Sequence, residues 1–388
     1  MLNSDLPEPD DIAIAHSSRL RLVIEQAIRS AGGAISFADY MNHALYEPGL
    51  GYYMAGAAKF GAEGDFITAP EVSPLFGQAL AVQIAEVLDD TSGSVLELGA
   101  GSGKLALSIV PEMAGRQNFS YFILEPSAEL AQRQRQLLAD SLSASDFSRV
   151  QWLDALPTGF NGVVLANEVM DALPVERFSI TTDGLQQMCV TPGFAWSLNP
   201  ASPSLCQKLT ALEADLDYPL PMGYESEMCL LLVPWIKSVA AVLDRGVVLL
   251  IDYGYPRHEY YSLERDKGTL ACFYRHRTHD DPLQLPGLQD ITAHVDFTAV
   301  AEAAVSADLE LLGYASQSAF LLDNNLLAIA DARREALTHD IDQLSLANEI
   351  KTLTLPGEMG ERFQVMALGC GYDRPLRGFR SQDLTYRL

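Results

Sequence analysis

The chain has 388 residues, of which 48% are hydrophobic and 20% charged, a composition typical of a soluble globular protein with a full hydrophobic core. This length predicts two domains, or one large domain with additions. The formal net charge of −25 argues against nucleic acid as a partner, because proteins that bind a phosphate backbone need basic patches, and it is compatible with a basic partner.

The five cysteines are widely spaced and form no C-x-x-C pair, which predicts reduced thiols and no metal site. The first residues are acidic and lack the basic start of a secretory signal and the arginine-rich composition of a mitochondrial presequence. No apolar run approaches the ~20 residues needed to cross a bilayer. These observations predict a cytoplasmic protein without membrane insertion.

In chain order, apolar spacing predicts a helix over 19–31 and a second helix from Ser36, a good N-cap, to about Glu47. A loop rich in glycine and tyrosine follows from Gly49 to Glu71, and a loop of that length inside a compact domain is usually functional. The helical pattern returns from Pro74 to Leu88.

The middle of the chain alternates between short apolar runs and helical patterns, which predicts βαβ crossovers and a parallel sheet. The predicted strands are 94–98, 120–125, 150–153, 162–167 and 247–252. The predicted helices between them are 103–113, 127–142 and 227–243. Two late segments, near 308–314 and 362–368, are candidates for antiparallel edge strands.

The alternation breaks after Asn167, where 175–198 indicates a hairpin around Asp183-Gly184 and 203–216 a helix. The predicted organisation therefore has an N-terminal helical and loop segment (1–72) that contributes to a cofactor pocket. The expected catalytic core comprises 73–174 and 246–388, with 175–245 inserted as a hairpin and helix lobe.

The stretch S-V-L-E-L-G-A-G-S-G-K-L-A, residues 94–106, is typical of a strand, a tight turn and a helix whose N-terminus faces a ligand. It is not a P-loop, because Leu105 follows Lys104 where a magnesium-binding hydroxyl is required. The dinucleotide pattern G-x-G-x-x-G/A is formally satisfied by Gly101, Gly103 and Ala106.

Two details favour S-adenosylmethionine over a dinucleotide. Glu97 lies at the strand end, where a pyrophosphate would be repelled, whereas the ammonium and sulfonium of S-adenosylmethionine would be attracted. The alternating Gly99, Gly101 and Gly103 provide backbone that the methionine part of this cofactor can approach closely. We therefore expect Glu97 and the three glycines to bind the cofactor.

Polar side chains that follow the other strands complete the expected cofactor site. Glu125 closes the second strand and is placed to bind both ribose hydroxyls. Asp154 follows the third strand and suits the adenine amino group, although a solvated turn or a helix cap explains it equally well. Asn167 ends the fourth strand and could bind the methionine backbone of the cofactor.

Glu168 and Asp171 are the candidate catalytic residues. Spaced three apart, they share a face if a helical turn begins here, and paired carboxylates can hold a guanidinium. The alternative is a helix cap with acidic residues in the first turn. The histidines and aspartates within 253–296 lack metal-ligand spacing, and this segment is expected to cover a substrate.

Seven motifs together resemble the MidA-like methyltransferases, whose mitochondrial member is a complex I assembly factor that methylates arginine. They are G-Y-Y-M, K-F-G-A-E-G-D-F-I-T-A-P-E-V-S-P-L-F-G, V-L-E-L-G-A-G-S-G, I-L-E-P-S, A-N-E-V-M-D-A-L-P-V, L-L-I-D-Y-G-Y and Q-D-I-T-A-H-V-D-F. The resemblance implies a Rossmann-like α/β class I fold with a seven-stranded, mostly parallel sheet. It also implies an additional lobe formed by the N-terminus and a mid-chain insertion.

For function, the resemblance implies S-adenosyl-L-methionine as methyl donor and an arginine of a basic protein as acceptor. Carried over by position, Thr68, Pro70 and Glu71 would line the cofactor pocket, and Glu168 and Asp171 would face the acceptor. Two alternatives stay open: methylation of a small molecule, and a non-catalytic assembly factor that binds the cofactor. The oligomeric state and the role of the arginine-containing C-terminal tail are not determined by the sequence.

Overall fold

The computed structural model describes residues 6–55 and 67–388, so most of the predicted loop between Gly49 and Glu71 lies outside the described residues. The chain divides into two compact units. The first unit comprises the described residues of 1–66 together with 170–233 and 255–297, and the second comprises 67–169, 234–254 and 298–388. These boundaries differ from the expected ones, mainly because 255–297 belongs to the first unit and 234–245 to the second.

The second unit is built on a large mixed sheet. Its strands are numbered here in chain order: β1 (Ser94–Leu98), β2 (Tyr121–Leu124), β3 (Val150–Leu153), β4 (Phe160–Asn167), β5 (Leu243–Tyr255), β6 (Glu310–Ser316) and β7 (Phe363–Cys370). They lie in the order β6-β7-β5-β4-β1-β2-β3. β1 to β5 pair in parallel, and β7 runs antiparallel to both β5 and β6.

The register of the parallel strands aligns their carboxyl ends along one edge of the sheet. Leu98 of β1 lies opposite Leu124 of β2 and Ala166 of β4. On the other side of β4, Asn167 lies opposite Ile251 of β5. The polar residues that follow these strands therefore begin at the same edge, where ligands bind in open α/β sheets.

Helices cover the second-unit sheet, which explains why β4 and β5 are apolar from Val163 to Ala166 and from Val247 to Ile251. Val163 and Leu165 of β4 and Val247 and Leu249 of β5 are fully buried in one hydrophobic core. The α-helices of this unit are Ala69–Val72, Pro74–Thr91, Lys104–Ile109, Ala128–Ser141, Ala144–Phe147, Leu232–Ala240, Phe297–Val305, Gln317–Asp323, Leu326–Ala336, Asp340–Thr354 and Met359–Arg362. Two of them, Leu232–Ala240 and Phe297–Val305, begin just before a unit boundary.

The C-terminal tail packs on its own unit. The Arg374 guanidinium lies 2.6 Å from Asp90, and the backbone N–H of Arg377 donates to Glu86 over 3.0 Å. The N–H of Gly378 donates to the buried Gln83 at 2.8 Å. All three acceptors belong to the helix Pro74–Thr91, so the tail's arginines dock on an acidic face of this helix.

The first unit contains two smaller antiparallel sheets. One joins Ile35–Ser36, Glu176–Thr181, Gly184–Thr191, Ala195–Pro200 and Glu225–Met228, and the other joins Ala271–Tyr274, Arg277–His279 and Asp290–Thr292. Its helices are Asp11–Ser30, Phe37–Tyr46, Pro203–Leu216 and Arg257–Tyr260. The predicted hairpin around Asp183-Gly184 is confirmed, as is the helix 203–216.

Two predicted elements are wrong. The helix expected over 227–243 is a strand, Glu225–Met228, followed by the shorter helix Leu232–Ala240. The expected covering loop at 253–296 contains the short helix Arg257–Tyr260 and the three-stranded sheet of the first unit. Within residues 6–55 and 67–388, no helix is both long and apolar enough to span a bilayer.

Candidate functional site

The turn after β1 has a backbone that only glycine adopts readily. Gly99, Gly101 and Gly103 have φ angles of 65°, 53° and 86°, in the left-handed region where a side chain is strained. A Cβ on Gly103 would also lie 3.3 Å from the side chain of Gln134. The turn thus brings bare backbone to the carboxyl edge of the sheet, directly before the helix Lys104–Ile109.

Glu97 is the second-to-last residue of β1 and is 2% exposed. Its carboxylate accepts a hydrogen bond of 2.9 Å from the hydroxyl of Tyr121 on the neighbouring strand. The pKa of Glu97 is raised to about 8, mainly by burial; the Tyr121 hydrogen bond lowers it and the nearby Glu125 raises it. A cation near this carboxyl group would stabilise its anion and lower its pKa.

Glu125 follows β2 and is held from two sides. Its Oε1 accepts the backbone N–H of Ser127 at 3.0 Å, and its Oε2 accepts Nε2 of Gln134 at 3.0 Å. Ser127 in turn caps the helix Ala128–Ser141, which carries Gln134. The carboxylate is therefore fixed at the strand end by the helix that follows it.

Gln134, which was not predicted from the sequence, connects three segments at the carboxyl edge of the sheet. The side chain is fully buried, and its Nε2 also donates to the carbonyl oxygen of Gly101 at 2.9 Å. Its Oε1 accepts the indole N–H of Trp152 at 2.9 Å. One amide thus connects the glycine turn after β1, the acid after β2 and an aromatic residue of β3. No local pattern marks such a residue, because its partners come from three different strand ends.

Glu71 is bound to the segment that follows β1. Its two carboxylate oxygens accept hydrogen bonds from the hydroxyl of Ser102 in the glycine turn and from the ammonium of Lys104, the first residue of the following helix. Glu71 lies in the short helix Ala69–Val72, with Thr68 at its N-cap and Pro70 in its first turn. This helix therefore clamps the glycine turn, and nothing in these contacts shows Thr68, Pro70 or Glu71 directly lining a pocket.

The end of β4 has a strained backbone. Glu168 has a φ of 53°, uncommon for a residue with a side chain, and its N–H donates to the carbonyl of Ile251 at 2.8 Å. Nδ2 of Asn167 donates to Oε1 of Glu168 at 3.1 Å. The Oδ1 of Asn167 is buried and accepts no hydrogen bond from any residue that the structure describes. Strain of this kind is concentrated at functional sites.

No helical turn begins at Glu168, so the prediction that Glu168 and Asp171 share a helical face is wrong. The left-handed φ of Glu168 prevents a right-handed turn from starting there. This geometry also removes the alternative of a helix cap. Asp171 lies in the first unit, where it is 5% exposed and its carbonyl accepts the N–H of Ala293 at 3.0 Å.

Asp154 is exposed in a bend after β3, a position that agrees both with an adenine contact and with a solvated turn. Among the described residues, no group of three or more His, Cys, Asp or Glu side chains is arranged to hold a metal ion. The residues brought to the carboxyl edge of the second-unit sheet are thus Glu97, the three glycines, Glu125, Asp154, Asn167 and Glu168.

A mixed α/β sheet with a glycine turn after its first strand and an acid after its second is typical of enzymes that bind an adenosine-containing cofactor at the carboxyl edge of the sheet. The family of S-adenosyl-L-methionine-dependent methyltransferases called Methyltransf_28 matches residues 79–315, more than half of the chain, and the chain belongs to this family. The cofactor is therefore S-adenosyl-L-methionine, and the dinucleotide alternative is excluded.

Individual relatives agree. The mitochondrial protein arginine methyltransferase NDUFAF7 of Danio rerio is 30% identical over 375 residues, covering 87% of this chain and 84% of its own. The Drosophila melanogaster homologue is 29% identical over 370 residues, covering 87% and 82%. A Burkholderia thailandensis protein solved with bound S-adenosyl-homocysteine superposes with a TM-score of 0.91 at 40% identity, over 99% of this chain and 100% of that chain.

One prediction is contradicted by these relatives. The chain was expected to be cytoplasmic, but the curated relatives that match it over 87% of its length are mitochondrial proteins. The expectation rested on the acidic composition of the first residues. That composition does not decide the compartment of a protein in this family.

Proposed function

We propose that this enzyme transfers a methyl group from S-adenosyl-L-methionine to the guanidinium of an arginine in a basic protein. The observation that carries the proposal is Glu168: a strained acidic residue at the end of β4, adjacent to Asn167 and three residues before Asp171. Relatives of similar length are named as protein arginine methyltransferases, which supports arginine as the acceptor. The net charge of −25 suits a basic protein.

Within this proposal, the second unit is the methyltransferase core, with β1 to β7 as its sheet, and the first unit is the additional lobe. The backbone of the glycine turn contacts the methionine part of the cofactor, and the carboxylate of Glu97 attracts the ammonium and sulfonium of the cofactor. The buried Oδ1 of Asn167 accepts a hydrogen bond from the cofactor ammonium, which supplies the donor that the described residues do not.

The adenosine part is assigned to the next two strand ends. Glu125, already oriented by Ser127 and Gln134, accepts hydrogen bonds from both ribose hydroxyls. Asp154 accepts from the adenine amino group. Thr68, Pro70 and Glu71 act through the glycine turn, since the contacts of Glu71 hold Ser102 and Lys104 in place.

When bound, S-adenosyl-L-methionine supplies an electrophilic methyl group on a sulfonium. The chain's own contribution is to orient the acceptor nitrogen for in-line displacement and to prevent other orientations of the acceptor. Glu168 holds the guanidinium through charge-assisted hydrogen bonds. Asp171, three residues further along the chain, is the second candidate carboxylate. As the C–N bond forms and the methyl–sulfur bond breaks, S-adenosyl-homocysteine would leave and the guanidinium would lose a proton, for which a carboxylate at this position would be the acceptor.

A labelled-methyl assay tests the proposal. The enzyme is incubated with methyl-labelled S-adenosyl-L-methionine and two synthetic peptides that differ only in a single arginine or lysine, and products are located by mass spectrometry. Methylarginine in the first peptide, absent with Glu168→Gln, is the expected result. Label that appears only in small molecules of a cell extract would overturn the protein-arginine assignment while leaving the methyltransferase activity in place.

A further inference from the structure

A groove lies in the surface of the first unit, between three segments of that unit. One wall is the helix Asp11–Ser30 with the residues just before it, and another is the turn between the strands Gly184–Thr191 and Ala195–Pro200. The third wall is the loop that follows the strand Arg277–His279. The groove has a volume of about 910 Å³, within the range of about 300–1,000 Å³ that is usual for ligand sites.

Hydrogen bonds between distant parts of the chain hold the three walls together. The hydroxyl of Ser17 in the helix donates to the carbonyl of Pro286 in the loop at 2.9 Å. The hydroxyl of the buried Tyr40 donates to the carbonyl of Pro282 at 2.7 Å, and its ring packs edge-on against Phe194 of the turn, with centroids 5.9 Å apart. The groove is therefore built before a ligand arrives, which lowers the entropy cost of binding.

Two aromatic rings line the groove, and one of them carries an arginine. Phe194 and Trp196 are both partly exposed, and Trp196 packs against the buried Phe37 with centroids 5.3 Å apart. Phe194 has a φ of 61°, which is uncommon for a residue with a side chain. The guanidinium of Arg21 lies over Phe194, 3.9 Å from the centroid of the ring. A stacked guanidinium still has its N–H donors, which lie in its own plane.

The charged groups of the groove are not paired with one another. Arg21 forms no ion pair and no hydrogen bond with any residue that the structure describes. Three carboxylates line the same groove, those of Glu8, Asp280 and Asp281. Asp281 accepts the N–H of Leu283 at 3.1 Å, whereas Glu8 and Asp280 are exposed and their carboxylates pair with no cation of the described residues. Carboxylates are therefore in excess, and one guanidinium has donors to spare.

These groups indicate the chemistry of the ligand. The excess of carboxylates favours a positively charged ligand. The two rings favour the aliphatic stems and the charged ends of lysine and arginine. The donors of Arg21 need oxygen acceptors, which the carbonyl groups of an extended backbone provide. A basic peptide satisfies all three requirements at once, whereas a polyanion would be repelled by the carboxylates. The exposure of Glu8 and Asp280 also leaves room for a chain that continues beyond the groove.

We propose that this groove of the first unit is a docking site for an extended, basic segment of the protein that the enzyme methylates. Basic side chains of the segment pair with Glu8 and Asp280, its backbone carbonyls accept hydrogen bonds from Arg21, and the stems of its side chains pack on Phe194 and Trp196. None of these residues was expected from the sequence to bind a partner. The choice of partner rests on the proposed function, because a basic protein is the acceptor proposed there.

Charge reversal at an exposed position tests the groove without disturbing the core. Asp280→Lys places a cation among the carboxylates of the groove. Asp183→Lys is the matched control, because Asp183 is exposed in the hairpin turn of the same unit, does not line the groove, and gives the same change in net charge. Arg21→Gln removes the guanidinium that would hold the peptide backbone.

The first experiment is calorimetric titration of the full-length enzyme, with S-adenosyl-homocysteine present. The probes are a lysine-rich peptide without arginine and peptides of the same length with serine or glutamate in place of each lysine. The lysine-rich peptide should bind at least tenfold more tightly than the serine peptide, and the glutamate peptide should not bind. Asp280→Lys should weaken binding of the lysine-rich peptide at least tenfold and Asp183→Lys less than twofold. Arg21→Gln should weaken the lysine-rich and serine peptides by the same factor.

Fluorescence locates the bound peptide. The chain has three tryptophans, and only Trp196 lines the groove. The lysine-rich peptide should change the emission of the wild type, and Trp196→Phe should remove that change. In the labelled-methyl assay, Asp280→Lys should raise KM at least tenfold for an arginine peptide with lysine-rich flanks, with kcat within twofold. KM for an arginine peptide without such flanks should be unchanged.

Equal losses of affinity in Asp280→Lys and Asp183→Lys would show a general attraction to an acidic chain and would overturn the groove. Tighter binding of the glutamate peptide, or an emission change that persists in Trp196→Phe, would overturn it as well. These failures leave the proposed function intact as long as the arginine peptide without flanks is methylated. Conversely, a groove that binds the lysine-rich peptide as expected in an enzyme that forms no methylarginine would overturn the proposed acceptor and keep the docking site.

Discussion

Gln134→Leu removes the amide that connects three strand ends while keeping a buried side chain of similar size. The substitution deletes hydrogen bonds to the carbonyl of Gly101, to Glu125 and from Trp152. At about 0.5–1.5 kcal/mol for each of the three net hydrogen bonds, the expected loss is about 1.5–4.5 kcal/mol in the free energy of unfolding. If about 1.4 kcal/mol of this falls on ordering the glycine turn and Glu125, the cofactor binds about tenfold more weakly.

Gln83→Leu is the matched control for this measurement. Gln83 is also a fully buried glutamine, accepting the N–H of Gly378 and donating to Glu86, each at 2.8 Å, but it serves the C-terminal tail. Denaturant unfolding should show a loss of stability for both variants. Calorimetric titration with S-adenosyl-L-methionine should show weaker binding only for Gln134→Leu. Equal cofactor affinities in the two variants would refute the role assigned to Gln134.

Three further outcomes are expected. Gly101→Val places a β-branched side chain at a φ of 53° and should abolish detectable cofactor binding in calorimetry; a variant that folds and binds normally would contradict the assigned turn. Glu168→Gln should abolish methyl transfer in the labelled-peptide assay while the cofactor affinity stays within several-fold, and normal turnover would remove Glu168 from the mechanism. Glu97 has a pKa raised from 4.5 to about 8, so the folded state binds a proton that the unfolded chain has released. Stability should therefore fall as the pH rises from about 5 to about 8, and Glu97→Gln should flatten that slope in thermal unfolding. Because the cationic cofactor favours the anion of Glu97, cofactor binding near pH 7 should release protons. Calorimetry in buffers of different ionisation enthalpy measures this proton release. If Glu97→Gln releases as many protons as the wild type, Glu97 does not contact the cofactor.

The parts of the fold that were predicted correctly are those whose signal is local. β1 was placed at 94–98 because an apolar run ends at a cluster of glycines. The predicted helix 203–216 has Ser202 as its N-cap and a proline in its first turn in the structure. The helix predicted over 19–31 begins earlier, at Asp11, since Asp10 acts as N-cap for a first turn whose apolar residues are exposed. Tertiary pairing overrode the helical pattern near residue 227, where Glu225–Met228 joins a sheet.

The residues of the candidate site also divide into those that the sequence could place and those that it could not. Glu97, Glu125 and Asn167 could be placed at strand ends from sequence because each closes an apolar run. Gln134 could not, since it lies inside an amphipathic helix whose pattern says only which face is buried.

The strand order places the last strand of the chain inside the sheet. β7, residues Phe363–Cys370, pairs with β5 on one side and with β6 on the other. During synthesis, the backbone of β5 from Gly246 to Tyr253 therefore stays unpaired on that side until more than a hundred further residues have emerged. A ribosome-stalled or nonsense-truncated chain would present this apolar edge to other chains, which makes a premature stop before residue 363 a cause of aggregation as well as of lost activity.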